Sequence, residues 1–330
     1  MTAENAEGAD SLGASRPGGP CEISIVVVSW NTREMTLACL ASIAAETRDV
    51  ACELIVVDNA STDGSADAIA AAHPEARLIR SAENLGFARA NNLAAREARG
   101  EKLLLLNPDT VILRRAIDRL ARFARERPAA GIWGGRTLFA DGALNPACCW
   151  RDISLWNLFC RAAGLTGLFP GSAIFNSEGY GGWRRDRERE VDIVQGSFFL
   201  IDAALWRRLG GFDETFVMYG EEADLCLRAR ALGARPRMTP EAEIIHYGGA
   251  SQTVRADRMV RLLKAKNTII VKHWRAPARS LGLWLSAMWP LSRSLAGRAA
   301  ALVGRGDGGA IWSEVWRRRG EWRNGYAEAA

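Results

Sequence analysis

Leu103-Leu-Leu-Leu-Asn-Pro-Asp109 is the stretch on which the fold of this 330-residue chain turns. Four consecutive leucines read as a buried strand, and Pro108, which has no N–H to give to a ladder, ends it. A carboxylate just beyond a buried parallel strand lies at the carboxyl edge of an open α/β sheet, the edge where such sheets bind ligands. Asp109 is therefore a candidate site residue. Asn, Pro and Asp are also the residues of a plain turn and cap before the helix expected near Arg114, so this stretch alone leaves both readings open.

Upstream, the same pattern recurs. Ile23-Ser-Ile-Val-Val-Val28 is a β-branched strand, followed by Ser29-Trp-Asn31-Thr32 and a helix with apolar positions at Met35, Leu37, Leu40 and Ile43. Glu53-Leu-Ile-Val-Val57 is a second strand ending in Asp58, and Asp63 and Ser65 beyond it suit a turn and helix cap. Ala76–Arg80 is a short third strand before Glu83-Asn84-Leu-Gly86-Phe-Ala88 and a helix carrying Asn91-Asn92, with Gly86 allowing close backbone approach beside a helix N-terminus. Strands and helices thus alternate over the first 130 or so residues, with connections short enough for a parallel sheet. Asn31, Asp58 and Asp109 arrive together at one edge, which favours the site reading for the two carboxylates. The turn after the first strand has no Gly-x-Gly-x-x-Gly, which argues against a dehydrogenase, and no Gly-rich phosphate loop, which argues against a nucleotidyltransferase.

Taken together, Val28-Ser-Trp-Asn31, Val57-Asp58-Asn-Ala-Ser-Thr-Asp-Gly-Ser65, Glu83-Asn-Leu-Gly-Phe-Ala88 and Leu106-Asn-Pro-Asp109 resemble the inverting family 2 glycosyltransferases, especially their rhamnosyltransferase-like branch. Gly196-Ser-Phe-Phe-Leu-Ile-Asp202, Gly210-Gly-Phe-Asp-Glu214, Tyr219-Gly-Glu-Glu-Ala-Asp224-Leu-Cys-Leu-Arg228 and His246-Tyr-Gly-Gly249 look like that branch's acceptor-side half, so the resemblance runs from about Ile23 to Lys272. It implies an α/β fold of GT-A type: a doubly wound, mostly parallel sheet with a Rossmann-like nucleotide-binding half (21–135), an acceptor half (136–272) and a C-terminal helical appendage (273–330). It also implies a dTDP- or UDP-sugar donor, rhamnose foremost, a glycan or lipid-linked acceptor, and Mg²⁺ or Mn²⁺.

Roles follow from the same resemblance. Asp58 would bind base or ribose, with Ser29, Asn31, Asn84, Gly86, Asn107 and Lys264 also on the nucleotide-sugar side. Asp109 and His246 would hold the metal; the family's Asp-x-Asp motif here begins with Asn107, leaving Asp109 as its single carboxylate. Glu222 would be the general base, supported by Glu221 and Asp224, all in the first turn of a helix with apolar positions Leu225, Ala229 and Leu232. A helix dipole alone also favours acids in a first turn, and a lone histidine by a buried strand is commonly a hydrogen-bonded edge residue. Lys264, Lys266 and Asn267 could reach the diphosphate on a closing C-terminal segment, although for any one of them a solvated helix face is the favoured reading. A non-catalytic glycan-binding or scaffolding protein that kept the fold is the rival reading, resting on Asn107 and the Glu221-Glu222 pair.

The composition, 48% hydrophobic and 25% charged, suits one large α/β domain with a modest appendage. The first twenty residues lack hydrophobic periodicity and an apolar signal core and are expected to form a floppy tail. Seven scattered cysteines without a Cys-x-x-Cys and three separated histidines argue against zinc or a disulfide framework and for a reducing cytoplasm. Between Ala140 and Glu190 the periodicity is poor, and loops and short helices on the acceptor side are expected, with the charged run Trp183–Glu190 on a solvated face.

Charge is uneven along the chain. From Arg255 onward there are fifteen Lys/Arg against five Asp/Glu, so this segment exceeds the net +5 of the whole and the preceding part is slightly acidic. A basic end implies an anionic partner: a diphosphate or a membrane surface, rather than nucleic acid, for which no recognition motif is present. Six of the twelve tryptophans follow Lys272, interleaved with arginine. Arg279 and Arg293 enclose only thirteen uncharged residues, short of the roughly twenty that a spanning helix needs. Two readings fit: peripheral attachment of a cytoplasmic enzyme to the anionic inner face of the cell membrane, or a helical subdomain packing its tryptophans on the catalytic domain.

Overall fold

Runs of apolar residues without polar alternation require a sheet covered on both faces, and the strands bear this out. In the computed structural model, residues 21–248, 255–302 and 309–326 are described; the tail expected over residues 1–20 and Gly249 lie outside them. The strands are β1 (Ile23–Ser29), β2 (Cys52–Asp58), β3 (Arg77–Arg80), β4 (Lys102–Leu106), β5 (Thr110–Ile112), β6 (Ile132–Leu138), β7 (Cys149–Trp150), β8 (Arg189–Glu190), β9 (Ile193–Val194), β10 (Phe198–Asp202) and β11 (Arg237–His246). Along β1, Val26 and Val28 enter one core while Ile23, Ile25 and Val27 enter the other. Likewise Leu103 and Leu105 of β4 face one core and Leu104 and Leu106 the other. Both faces are buried, so consecutive positions of these strands are apolar, and the buried exception inside β1, Ser24, donates its hydroxyl to Glu53 at 2.6 Å. Truncating any one of these leucines to alanine is expected to cost about 2–5 kcal/mol.

The order along the sheet is β3-β2-β1-β4-β10-β6-β11-β5, with β8 on β11. The first four strands are parallel, as expected of the nucleotide-binding half. Beyond β4 the sheet becomes mixed: β10 runs antiparallel between β4 and β6, and β11 pairs parallel with β6 but antiparallel with β5. That antiparallel step matters for the site, because it sets the loop before β10 beside the loop after β4.

The helices are α1 (Arg33–Glu46), α2 (Ser65–Ala72), α3 (Gly86–Glu97), α4 (Ala116–Glu126), α5 (Leu155–Ala162), α6 (Leu165–Leu168), α7 (Ala203–Leu209), α8 (Glu221–Ala231), α9 (Arg255–His273), α10 (Ala278–Leu302), α11 (Ala310–Arg317) and α12 (Arg319–Trp322). The stretch from 140 to 190 consists of loops and short helices, as its sequence suggests. Its charged run is not wholly solvated, however: Arg185 is buried and donates to the carbonyls of Pro146, Cys149, Gly179 and Trp183. A guanidinium has enough donors to gather several carbonyls at once, which is how a loop without regular structure is held. Buried Glu178 adds a second tie, accepting from Arg161 at 2.8 Å and from Lys266 on α9. All seven cysteines are free thiols.

The C-terminal helices pack inward. Trp289 and Trp322 are buried with Val260, Leu263 and Val315, Trp312 and Trp316 border that cluster, and Trp274 packs against the main core. Trp284 is exposed. No helix of the described residues is long and apolar enough to cross a membrane.

Candidate functional site

After Leu106 the chain turns at Asn107-Pro108-Asp109 and, instead of entering a helix, adds the short strand β5 antiparallel to β11, with His246 opposite Thr110. This pairing delivers the imidazole to the carboxylate. The backbone N–H of Tyr247 donates to the Asp109 carbonyl at 3.0 Å and that of Gly248 to Asp109 Oδ2 at 3.1 Å, leaving Oδ1 3.2 Å from His246 Nε2. The Asn107 amide nitrogen lies 3.4 Å from the same Nε2, and Asn107 Oδ1 and His246 Nδ1 are buried without a hydrogen-bond partner.

The arrangement is frustrated as a purely protein network. Nε2 has one hydrogen-bonding role: protonated it serves Asp109 but opposes the amide N–H, and bare it accepts from Asn107 but faces a carboxylate oxygen. A cation held by Asp109, Nε2 and, after a turn of the amide, Asn107 Oδ1 removes the conflict. The donor set therefore fits a divalent ion. No group of three His, Cys, Asp or Glu side chains converges among the described residues, so substrate oxygens or water would complete the coordination, as Mg²⁺ commonly requires.

These residues line a cavity of about 330 Å³. On its nucleotide-side wall stand Asn84 and Gly86, with Asn59 tying the wall together: its amide nitrogen donates to Asn84 Oδ1 at 2.9 Å and its oxygen accepts from Leu85 N–H at 2.8 Å. Asp58 lies behind Asn59, buried at the end of β2; its Oδ2 accepts from Ser61 N–H, and its Oδ1 has no partner.

Glu221 and Glu222, at the start of α8, also line the cavity. The approach to this helix is constrained: Tyr219 and Gly220 both have left-handed backbones, and a Cβ at Gly220 would lie 2.9 Å from the Phe216 ring. Each carboxylate has a buried Oε2 without a partner. Burial pushes the carboxyls of both up from the ordinary range; the neighbouring Glu222 charge raises Glu221 further, while N–H groups of Gly196 and the helix's own first turn partly offset the effect on Glu222. Carboxylates pushed up by burial in a cleft are suited to accept a proton near neutral pH.

Other expected site residues lie elsewhere. Ser29 is buried against Thr36 at 2.9 Å, and Asn31 accepts from Thr62 N–H at 2.8 Å, so both build the turn beneath the site. Asp224 is buried, ion-paired with Arg228 at 2.6 Å and 2.8 Å from His273 Nε2, away from the cavity. Lys264 places its ammonium over the Tyr326 ring, Lys266 pairs with Glu178, and Asn267 donates to carbonyls of α12 and its end. Arg258 is the α9 cation that reaches the cavity. Gln195, Ser197, Tyr219 and Trp30 also line it; Asn59 and Trp30 stand inside the motifs already quoted, whereas Gln195 and Arg258 carry no local signal.

Residues 24–186 match the model of glycosyl transferase family 2. These residues form a family 2 glycosyltransferase domain. As a family 2 glycosyltransferase it is an inverting enzyme that draws on a nucleotide-sugar donor. The chain is 28% identical over 303 residues to the N-acetylglucosaminyl-diphospho-decaprenol L-rhamnosyltransferase of Mycobacterium tuberculosis, covering 85% of this chain and 92% of that protein. It is 28% identical over 249 residues to the O-antigen biosynthesis protein RfbC of Myxococcus xanthus, 72% of this chain but 18% of that one. Among solved structures, the mannosyltransferase PcManGT of Pyrobaculum calidifontis, in complex with GDP-Man and Mn²⁺, superposes with a TM-score of 0.56 at 17% identity, over 96% of this chain and 88% of that one. This likeness shows the fold, GT-A, in a glycosyltransferase whose structure holds a nucleotide sugar and a divalent metal.

Proposed function

We propose that the enzyme transfers L-rhamnose from dTDP-rhamnose, or another sugar from a UDP-sugar, with inversion to a glycan or lipid-linked acceptor in the building of cell-envelope polysaccharide. The observation that carries the reading is one cavity lined by two unlike sets of groups: the Asp109–His246 pair, and the unpartnered oxygens of Glu221 and Glu222. The rhamnosyl and lipid-diphosphate choices rest on the similarity to the mycobacterial enzyme. The same reading makes the enzyme cytoplasmic, in peripheral contact with the membrane that carries its acceptor.

In this reading Asp58, through its unpartnered Oδ1, holds the base or ribose, and Asn84 and the Gly86 backbone shape the nucleotide wall. Asp109, His246 and the Asn107 amide would hold Mg²⁺ or Mn²⁺, which when bound supplies positive charge against the leaving diphosphate. Arg258 adds a fixed cation at the cavity. Glu222 takes the proton of the acceptor hydroxyl as that oxygen bonds to the anomeric carbon. The bond from that carbon to the diphosphate oxygen breaks on the opposite face, which inverts the centre. Glu221, buried beside it, keeps the proton affinity of the pair high.

The test is nucleoside diphosphate release with dTDP-rhamnose, UDP-sugars and GDP-mannose, each with and without Mn²⁺, in the presence of a polyprenyl-diphosphate-linked N-acetylglucosamine. Turnover with dTDP-rhamnose or a UDP-sugar is expected. Turnover confined to GDP-mannose would overturn the donor assignment, and indifference to the lipid-linked acceptor would overturn that part.

A further inference from the structure

The tryptophans of the C-terminal segment suggested a membrane surface, yet five of the six pack within the protein. The exposed aromatics lie elsewhere. On α5, Trp156 and Phe159 are 47% and 45% exposed, and on and after α6 Leu168, Phe169 and Ile174 are 71%, 48% and 63% exposed. They form one array: Trp156 lies 5.7 Å from Phe159, and Phe175 joins Trp156 at 6.4 Å to Phe169 at 5.2 Å, ring centre to ring centre. The Trp156 indole N–H donates to the Ile174 carbonyl at 2.9 Å, which fixes the loop that carries the patch. Helix α10 packs alongside α5, with the Arg293 guanidinium against Gly167, and adds exposed Leu281, Trp284 and Leu295.

Charge on these two segments has a single sign. Residues 155–175 and 275–302 contain five arginines and neither lysine nor any acidic residue, and Arg275, Arg279 and Arg298 are exposed. An exposed aromatic array of this kind, as on α5 and the loop after α6, marks an interaction site. Tryptophan and phenylalanine with an arginine rim and no acid match the headgroup region of an anionic bilayer, where aromatic rings sit at the interface and guanidinium groups meet lipid phosphate.

We propose that the joined face of α5, the α6 loop and α10 is a monotopic docking surface for an anionic lipid bilayer. It deepens the reading of a lipid-linked acceptor, since an enzyme seated on the bilayer meets such an acceptor by diffusion in two dimensions. Binding itself requires neither donor nor acceptor, so a vesicle assay without substrates can fail or succeed independently of that reading.

The experiment is flotation of the full chain with phosphatidylcholine vesicles lacking or containing phosphatidylglycerol. Binding is expected only to the anionic vesicles, weakening with salt as charges become screened. In Arg279→Ala/Arg298→Ala the partition should fall about fivefold per arginine removed, the worth of a basic residue near such a surface. In Leu168→Ser/Trp284→Ser it should fall about tenfold or more, with melting temperature and donor turnover unchanged in both pairs. Equal partition of parent and both variants overturns the proposal, as does equal binding to neutral vesicles. So does a parent that forms a dimer dissociated by the same substitutions, because the face is then covered by a second copy.

Discussion

Replacing Glu222 by glutamine keeps the shape of the side chain and removes its ability to take a proton. The carboxylate stands at the cavity wall in the first turn of α8, its Oε2 without a partner, and burial pushes its pKa up. Losing a general base costs at least about 10²-fold in turnover, or about 2.7 kcal/mol of barrier. Because the base acts on the acceptor hydroxyl rather than on the donor, donor affinity should hardly change, and the loss should appear in kcat rather than in binding. The assay is nucleoside diphosphate release at saturating donor and acceptor across pH 5 to 9, roughly the span between a carboxyl's ordinary range and lysine's, with donor affinity measured by calorimetry. In the parent, activity should fall on the acid side at a pH above the usual carboxylate range, since the base must be ionised to act and burial opposes ionisation. This acid limb should vanish in Glu222→Gln. Near-parental turnover in Glu222→Gln with loss in Glu221→Gln would move the base to Glu221. An acid limb that persists unchanged in both variants would refute carboxylate base catalysis at this wall.

Three further outcomes are expected. Asp109→Asn should abolish the Mn²⁺-dependent rise in melting temperature and the metal stimulation of turnover while the metal-free melting temperature stays near the parent's, read by thermal shift with and without Mn²⁺; an unchanged Mn²⁺ response would remove Asp109 from the metal site. Asp58→Ala should weaken binding of the free nucleoside diphosphate about as much as binding of the sugar donor, because base and ribose do not change during the reaction; equal affinity of mutant and parent counts against that role. Glu178→Gln leaves Arg161 and Lys266 buried without their partner, a loss of about 3–5 kcal/mol and roughly 10 °C of melting temperature. The two cations hold the Glu178 carboxyl down at about 2, so its contribution is complete above the usual range and is lost as pH falls toward 2. Burial pushes Lys266 down as well, which offsets part of that gain, and a melting temperature within about 2 °C of the parent's would show the network to be nearly neutral.

The parallel half of the sheet was legible because its information is local. The central strands β1, β2 and β4 each carry a run of apolar residues buried on both faces, and Pro108 marks the end of β4 by chemistry alone. What was illegible depends on pairing between distant segments. Thr110-Val-Ile112 is too short to announce itself as a strand, and only its pairing with Ile244-Ile-His246 explains why Asp109 meets His246. Similarly, nothing near Gln195 says that β10 will insert antiparallel beside β4, although that insertion puts Gln195 and Ser197 at the cavity.

Site residues divide along the same line. Glu221, Glu222 and Asp224 are equivalent by composition, as acids in one first turn, but they have different partners. Asp224 stands four residues before Arg228 on the helix and faces His273 from α9, so its charge is neutralised within the fold. Glu221 and Glu222 form no ion pair among the described residues and keep bare oxygens at the cavity. An acid whose charge is already paired has its burial cost offset by its partner and is held ionised by it. One left unsatisfied carries an unmet burial cost, which is what the proposed general-base role would draw on. The tryptophans after Lys272 give the converse case. Their composition suits a lipid surface and a packed core equally, and packing was decided by α9 and α11 supplying the apolar partners. The surface left for a membrane is then the one whose aromatics found no such partners, on α5 and the loop after α6, within a stretch whose irregular sequence gave no reason to look there.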